Sequence, residues 1–108
     1  MDIKELKQSN SYYFEREKQI HNMKNCLKED LVFAYQDGLF SANYNLINFL
    51  NSLDDSKELY ILDDLEQPML INDLNEFKTK AFETNQNAIK RYYENFLELN
   101  KIRRKLNI

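Results

Sequence analysis

The chain has 108 residues, of which 43% are hydrophobic and 13% aromatic, and its formal net charge at pH 7 is −3. This length and composition predict one folded domain with a hydrophobic core and exclude an intrinsically disordered chain. No apolar run approaches the ~18 residues of a membrane span, and a mildly acidic chain is not expected to be a dedicated nucleic-acid binder.

The first third of the chain predicts a helix over about 10–36. Ser9-Asn10-Ser11 can cap its start, and Gly38, the only glycine, is suited to a left-handed C-cap after it. Leu39-Phe40 predicts at most a minimal strand. The apolar residues of the predicted helix recur at helical spacing on one face, at Tyr13, Ile20, Met23, Leu27, Leu31 and Ala34.

The middle of the chain predicts a short helix followed by a hairpin. Ser41 or Asn43 can cap a helix over about 43–53, whose apolar residues cover most of its circumference and predict burial. Two short apolar runs then flank an acidic turn that ends at Pro68, which predicts a β-hairpin over about 58–71. We expect the acids of this turn, Asp63, Asp64 and Glu66, to be solvated, and an electrostatic contact with a basic partner is the alternative.

The last third predicts a long helix over about 73–105. Asp73 and Glu76 have the spacing of a capping box. Such a helix is about 50 Å long, and its apolar positions fill an arc of about 180°, which is more than one partner helix covers. These positions are 74, 77, 81, 82, 88, 89, 92, 93, 96, 99, 102 and 106.

These elements predict a single domain of the α+β class that is mostly helical. We expect two long antiparallel helices, with the short helix and the β-hairpin inserted between them, because antiparallel packing is the simplest way to bury both apolar stripes.

No residue pattern in the chain indicates an enzyme, a metal site or a cofactor. Glu17 and His21 are four residues apart on one helix face, but a zinc site needs three or four ligands. Cys26 lies on a different face, and as the only cysteine it fits a reducing cytoplasm. One glycine cannot build a glycine-rich phosphate loop. The sequence therefore predicts a non-enzymatic protein that requires no metal and no cofactor.

The long apolar arc of the last helix predicts an interaction surface. We expect a homodimer with Tyr92, Tyr93, Phe96 and Leu99 at its interface, and a further protein partner of unknown identity. The chain alternates charged and apolar residues at its start instead of showing a signal peptide, so we expect a cytoplasmic protein with no membrane association.

The distribution of charge leaves nucleic-acid association open as an alternative function. Residues 37–76 carry nine acids against Lys57 alone, whereas residues 77–108 carry eight bases against three acids. Basic residues at a helix C-terminus also interact favourably with the helix dipole. In the alternative, the phosphate contacts come from Lys90, Arg91, Lys101, Arg103, Arg104 and Lys105.

The order of features resembles that of small uncharacterised proteins of tailed bacteriophages, especially phages of marine cyanobacteria. The residues that carry the resemblance are YYFEREKQIHNMKNCLKEDLVFAYQDGLF, then LYILDDLEQPMLI, then the helix end LNKIRRKLNI. The resemblance implies a phage-encoded protein made in the host cytoplasm. It implies no function and no functional residues, and this chain lacks the glycine that such hairpin loops commonly have. For the interaction module itself, we expect the partner to be a host enzyme or a virion component.

Overall fold

The computed structural model describes the backbone of residues 3–54 and 57–105, and the side chains of residues 14–54 and 57–101. It confirms an α+β fold that is mostly helical. The molecule is elongated, with extents of 66 × 23 × 20 Å. Its elements in chain order are α1 (Ile3–Asp30), β1 (Val32–Tyr35), β2 (Gly38–Ser41), α2 (Tyr44–Asn51), β3 (Leu59–Leu62), β4 (Pro68–Ile71) and α3 (Leu74–Lys105).

The two long helices run antiparallel, as predicted. Asp30, at the end of α1, accepts hydrogen bonds from Arg91 Nη1 at 3.0 and 3.1 Å. A few residues later, the carbonyl of Ala34 accepts one from Lys80 Nζ at 2.8 Å. The chain that leaves α1 therefore travels towards the start of α3, so α1 itself lies along the later turns of α3.

The predicted first helix is wrong at both ends. The structure shows no new helix start at Ser9-Asn10-Ser11, because α1 runs through these residues from Ile3. At the other end α1 stops at Asp30, and Val32–Tyr35 forms a strand with alternating exposed and buried residues. β-branched and aromatic residues favour such a strand, and the helical spacing of Ala34 is coincidental because Ala34 is exposed. The minimal strand predicted at Leu39-Phe40 is confirmed as part of β2.

Gly38 is not the predicted left-handed C-cap. It opens β2 opposite Tyr35, and its φ is not positive. The left-handed residue of this turn is Gln36, with φ of 51°. A Cβ at position 38 would overlap Sδ of Met69. Glycine therefore lets β2 approach β4 closely.

The short helix and the N-cap of α3 follow the predicted local signals. Asn43 caps α2 by accepting a hydrogen bond from the N–H of Leu46 at 2.9 Å. Asp73 caps α3 in the same way, with the N–H of Glu76 as donor at 3.0 Å. The predicted burial of α2 is wrong, however, because Leu50 is its only buried residue.

The core lies where both hairpins pack against the start of α3. Phe77 of α3 is fully buried, and its ring contacts those of Phe33, Tyr35 and Phe40 at centroid distances of 5.8, 5.0 and 4.9 Å. Burial raises the pKa of Tyr35, and the negative charges of Glu76 and Asp73 raise it further. Phe77 therefore joins β1, β2 and α3 in one core.

Asp63 organises the turn between β3 and β4. Its Oδ1 accepts hydrogen bonds from the N–H groups of Leu65 and Gln67 at 3.0 and 2.8 Å, and its Oδ2 accepts one from Leu39 of β2 at 3.2 Å. The predicted solvation of this residue is wrong, because Asp63 is buried. Burial by itself raises the pKa of the carboxyl, but the three N–H donors outweigh burial and lower the pKa below its ordinary value.

We predict that Phe77→Ala lowers the free energy of unfolding by about 3–5 kcal/mol, because it removes the ring that Phe33, Tyr35 and Phe40 contact. Chemical denaturation measures the change. Phe14→Ala is the matched control, since Phe14 is 71% exposed and its loss should cost less than about 0.5 kcal/mol. Similar losses in the two variants would contradict this assignment of the core.

We predict that Asp63→Asn lowers the melting temperature by several degrees at pH 7, because an amide presents one acceptor where the carboxylate presents two. The lowered pKa means that the stabilisation is present above the unfolded pKa, about 4, and is lost as pH falls through the folded value. Melting curves of the two proteins should therefore converge at low pH. Glu66→Gln, in the same turn, is the control, and equal melting temperatures for both variants at pH 7 would rule out this role.

Candidate interaction surfaces

Helix α3 presents a second apolar stripe beside the face that it buries. Phe82, Tyr93, Phe96 and Leu97 are exposed, and Ile89 is half-buried. At 100° per residue, this stripe is centred about 120° from the face that carries Phe77, Ala81, Ala88 and Leu99. We call Phe82, Ile89, Tyr93, Phe96 and Leu97 the outer stripe of α3.

The outer stripe has the spacing of a coiled-coil seam. Phe82, Ile89 and Phe96 recur every seven residues, and Tyr93 falls four residues after Ile89 and three before Phe96. With Phe82, Ile89 and Phe96 at d positions, Tyr93 is an apolar a position between two of them, and Gln86 occupies the preceding a position. A second helix can therefore pack along the stripe by knobs-into-holes contacts.

The pair of long helices does not enclose a core by itself. Among the described side chains of α1, from residue 14 to residue 30, none is fully buried. Ile20, Met23 and Leu27 lie on the predicted apolar stripe and remain half-buried against α3. Two helices form a single layer, and stable domains pack at least two layers. The helix pair therefore leaves apolar surface for a further layer.

The four residues predicted at the interface differ in exposure. Tyr93 is 59% exposed and Phe96 is 39% exposed, and both belong to the outer stripe. Tyr92 is half-buried at the edge of the buried face. Leu99 is only 7% exposed, so it packs within the chain and is not available to a partner. The sequence analysis missed Phe82 and Leu97 as surface residues, although both fall in the predicted apolar arc or beside it.

A groove extends the outer stripe towards α2. It has a volume of about 490 Å³ and is lined by Phe82 and Ile47 together with polar residues of both helices. Lys78 Nζ donates a hydrogen bond to the carbonyl of Leu53 at 3.0 Å beside it. The outer stripe thus reaches from the last turns of α3 to α2, which together with the two hairpins forms a unit that we call the cap.

The basic residues predicted to contact phosphate are spread over the surface. Lys90 is exposed, whereas Arg91 pairs with Asp30 at 3.0 Å and Lys101 pairs with Glu98 at 3.2 Å. The side chains of Arg103, Arg104 and Lys105 lie outside the described residues. Of the three predicted phosphate contacts whose side chains are described, Arg91 and Lys101 are therefore paired with carboxylates, and Lys90 is exposed.

The residues with metal-binding chemistry are dispersed. His21 and Glu17 are exposed on α1, and Cys26 is half-buried. Within the described ranges, no three side chains of His, Cys, Asp or Glu come close enough together to hold a metal ion. The helices of those ranges also include none that is long and apolar enough to cross a membrane.

No family model, curated protein or solved structure matches the chain.

Proposed function

We propose that the chain is a non-enzymatic protein–protein interaction module that forms a homodimer through α3. The outer stripe of α3 carries this proposal, because its apolar residues lie beside the face that packs into the core, and four of them, Phe82, Ile89, Tyr93 and Phe96, fall at heptad spacing. Large exposed apolar surfaces on small proteins mark interaction sites.

A second copy of the chain is a suitable occupant of this stripe. Each copy supplies a two-helix layer whose α1 is half-buried, and two such layers stacked face to face make a four-helix bundle. A twofold axis brings the same stripe of both copies together, so apolar residues meet apolar residues throughout. The flanking charges do not oppose this, because Glu83 and Lys90 on the exposed side of the stripe have opposite signs.

The homodimer would present its acidic caps to a further protein partner. The resemblance to phage proteins supports a host enzyme or a virion component as that partner, and the host cytoplasm as the place of action. The uneven charge of the chain supports recognition by electrostatic complementarity, which favours fast and selective association.

We predict that Tyr93→Ser and Phe96→Ser each weaken self-association by about tenfold or more, because truncating a central aromatic anchor of an interface costs more than about 1.4 kcal/mol. Sedimentation over a concentration series measures the dimer dissociation constant. Glu94→Ser is the matched control, since it is exposed on the other side of the same turn. A wild-type chain that stays monomeric at high micromolar concentration would refute the homodimer.

The alternative function is nucleic-acid association through the basic end of α3. The observation that favours it is that Lys90 is exposed and that α3 continues as a helix through Lys105. The acidic cap lies at the opposite end of α3, so a phosphate backbone could approach the basic end without meeting the cap.

If this alternative holds, binding to duplex DNA should weaken by roughly tenfold or more between 50 and 200 mM salt, because a few released counterions account for that dependence. Arg104→Ala with Lys105→Ala should weaken all sequences about equally, since phosphate contacts carry no sequence information. Mobility shifts measure both effects, with Lys57→Ala as the control in the acidic region. Absence of a shift at 50 mM salt would eliminate nucleic-acid association.

A further inference from the structure

The hairpin of β3 and β4 exposes a face that is entirely apolar. In its register Tyr60 pairs with Leu70 and Leu62 pairs with Pro68, and these four residues point away from the core. Tyr60 is 76% exposed and Leu62 is 59% exposed. Antiparallel hairpins with one face in the core usually carry polar residues on the other. We call Tyr60, Leu62, Pro68 and Leu70 the outer hairpin face.

The apolar surface continues beyond the two strands. Leu65, in the turn, is 63% exposed. An open groove of about 390 Å³ runs along the strands and is lined by Tyr60, Leu62, Pro68 and Leu70 with their neighbours. A second groove shares Pro68 and Leu70 and reaches the tip of the first hairpin at Asp37. The face is therefore a continuous surface wide enough to seat a peptide segment.

Acidic residues surround this surface. Glu58 precedes β3, Asp64 and Glu66 lie in the turn, and Asp37 lines the adjoining groove, all of them exposed. Lys57 is the only base between residues 37 and 76. A negative rim repels phosphates of nucleic acids and anionic lipids, and it repels the same face of another copy. A well-matched occupant combines apolar side chains with positive charge.

The surface is also held in a fixed shape. Asp63 ties the hairpin turn to β2, the N–H of Asp64 donates to the carbonyl of Leu39 at 2.7 Å, and Ser41 Oγ donates to Asp64 Oδ2 at 2.6 Å. These contacts fix the turn against the first hairpin. A preorganised surface loses less conformational entropy when a partner binds.

From these observations we propose that the outer hairpin face is a docking site for an apolar segment of another protein that carries lysine or arginine. Tyr60 and Leu62 supply the apolar anchors, and Glu58, Asp64 and Glu66 attract the positive charges. The site is separate from the outer stripe of α3, so it does not depend on the homodimer.

The test uses a synthetic amphipathic peptide of alternating lysine and leucine with one tryptophan. The chain contains no tryptophan, so the emission of the peptide reports binding without background from the protein. The expected result is saturable binding to the full chain that weakens at least tenfold in the double variant Tyr60→Ser with Leu62→Ser. The same binding should weaken several-fold from 50 to 200 mM salt, because screening reduces the attraction of exposed charges.

Two controls make the result specific. Tyr44→Ser removes an aromatic residue that is 62% exposed on α2, outside both proposed surfaces, and should leave peptide binding unchanged. A peptide with glutamate in place of lysine should not bind. Both hairpin substitutions are at exposed positions, and circular dichroism with thermal melting verifies that the double variant is folded.

Three results would overturn the proposal: no binding of the lysine peptide at 50 mM salt, equal binding by the double variant, or equal binding of the glutamate peptide. Sedimentation of the same proteins separates this site from the homodimer. The double variant Tyr60→Ser with Leu62→Ser should leave the dimer intact. If it dissociates the dimer while Tyr93→Ser does not, a second copy occupies the hairpin face and the docking proposal is wrong.

Discussion

The carboxylate of Asp63 holds the two small hairpins of this fold together. A two-stranded hairpin is marginally stable alone, and this chain contains two of them that share no strand pairing. Asp63 binds the N–H of Leu39 on the outer edge of β2 and two N–H groups of its own turn. The next residue completes the connection when its N–H donates to the carbonyl of Leu39. These backbone contacts join two hairpins that also share one buried core, and Phe77 of α3 inserts into the cap that they form.

The position of this cap determines what the long helices can bury. Because the cap packs against the first turns of α3, α1 packs mainly against the remaining turns of α3. Asn85 marks the junction: it is buried, and its Nδ2 donates to the carbonyl of Ala42 at 2.8 Å. Beyond it, only Ala88 and Leu99 are buried among the described residues of α3. The cap supplies most of the core. The helix pair extends from it as a single layer that leaves apolar side chains of α3 exposed.

Much of the fold could be predicted from the sequence because its signals are local. The caps at Asn43 and Asp73, the length of α3 and the second hairpin all follow from short patterns of residues. The segment from Leu31 to Tyr35 could not be predicted in this way, because its spacing also fits a helix. Its turn gives no strong signal either, since Gln36 occupies the left-handed position where asparagine or glycine is usual. The tertiary contacts of Phe33 and Tyr35 with Phe77 add to the strand preference of these residues and decide in favour of a strand.

The candidate surfaces depended even more on tertiary structure. The sequence showed that α3 has a wide apolar arc, but the division of the arc is set by where the cap and α1 lie. That division buries Leu99 and exposes Tyr93, although both belong to the same arc. Likewise, the acids of the hairpin turn look alike in the sequence, yet Asp63 stabilises the fold whereas Glu66 faces solvent. A residue type indicates what chemistry is available, and its neighbours decide whether that chemistry serves folding or binding.

The two exposed apolar surfaces differ in the forces that would select their partners. Along the outer stripe of α3, apolar side chains with few flanking charges favour any matching helix, and a twofold arrangement of identical stripes satisfies this requirement without further specificity. On the outer hairpin face, the acidic rim adds a charge requirement that a second identical face cannot meet. Burial of apolar side chains contributes most of the affinity at both surfaces, whereas electrostatic complementarity discriminates between partners. Under the two proposals, the stripe would serve self-association and the hairpin face would serve recognition of a different, basic protein.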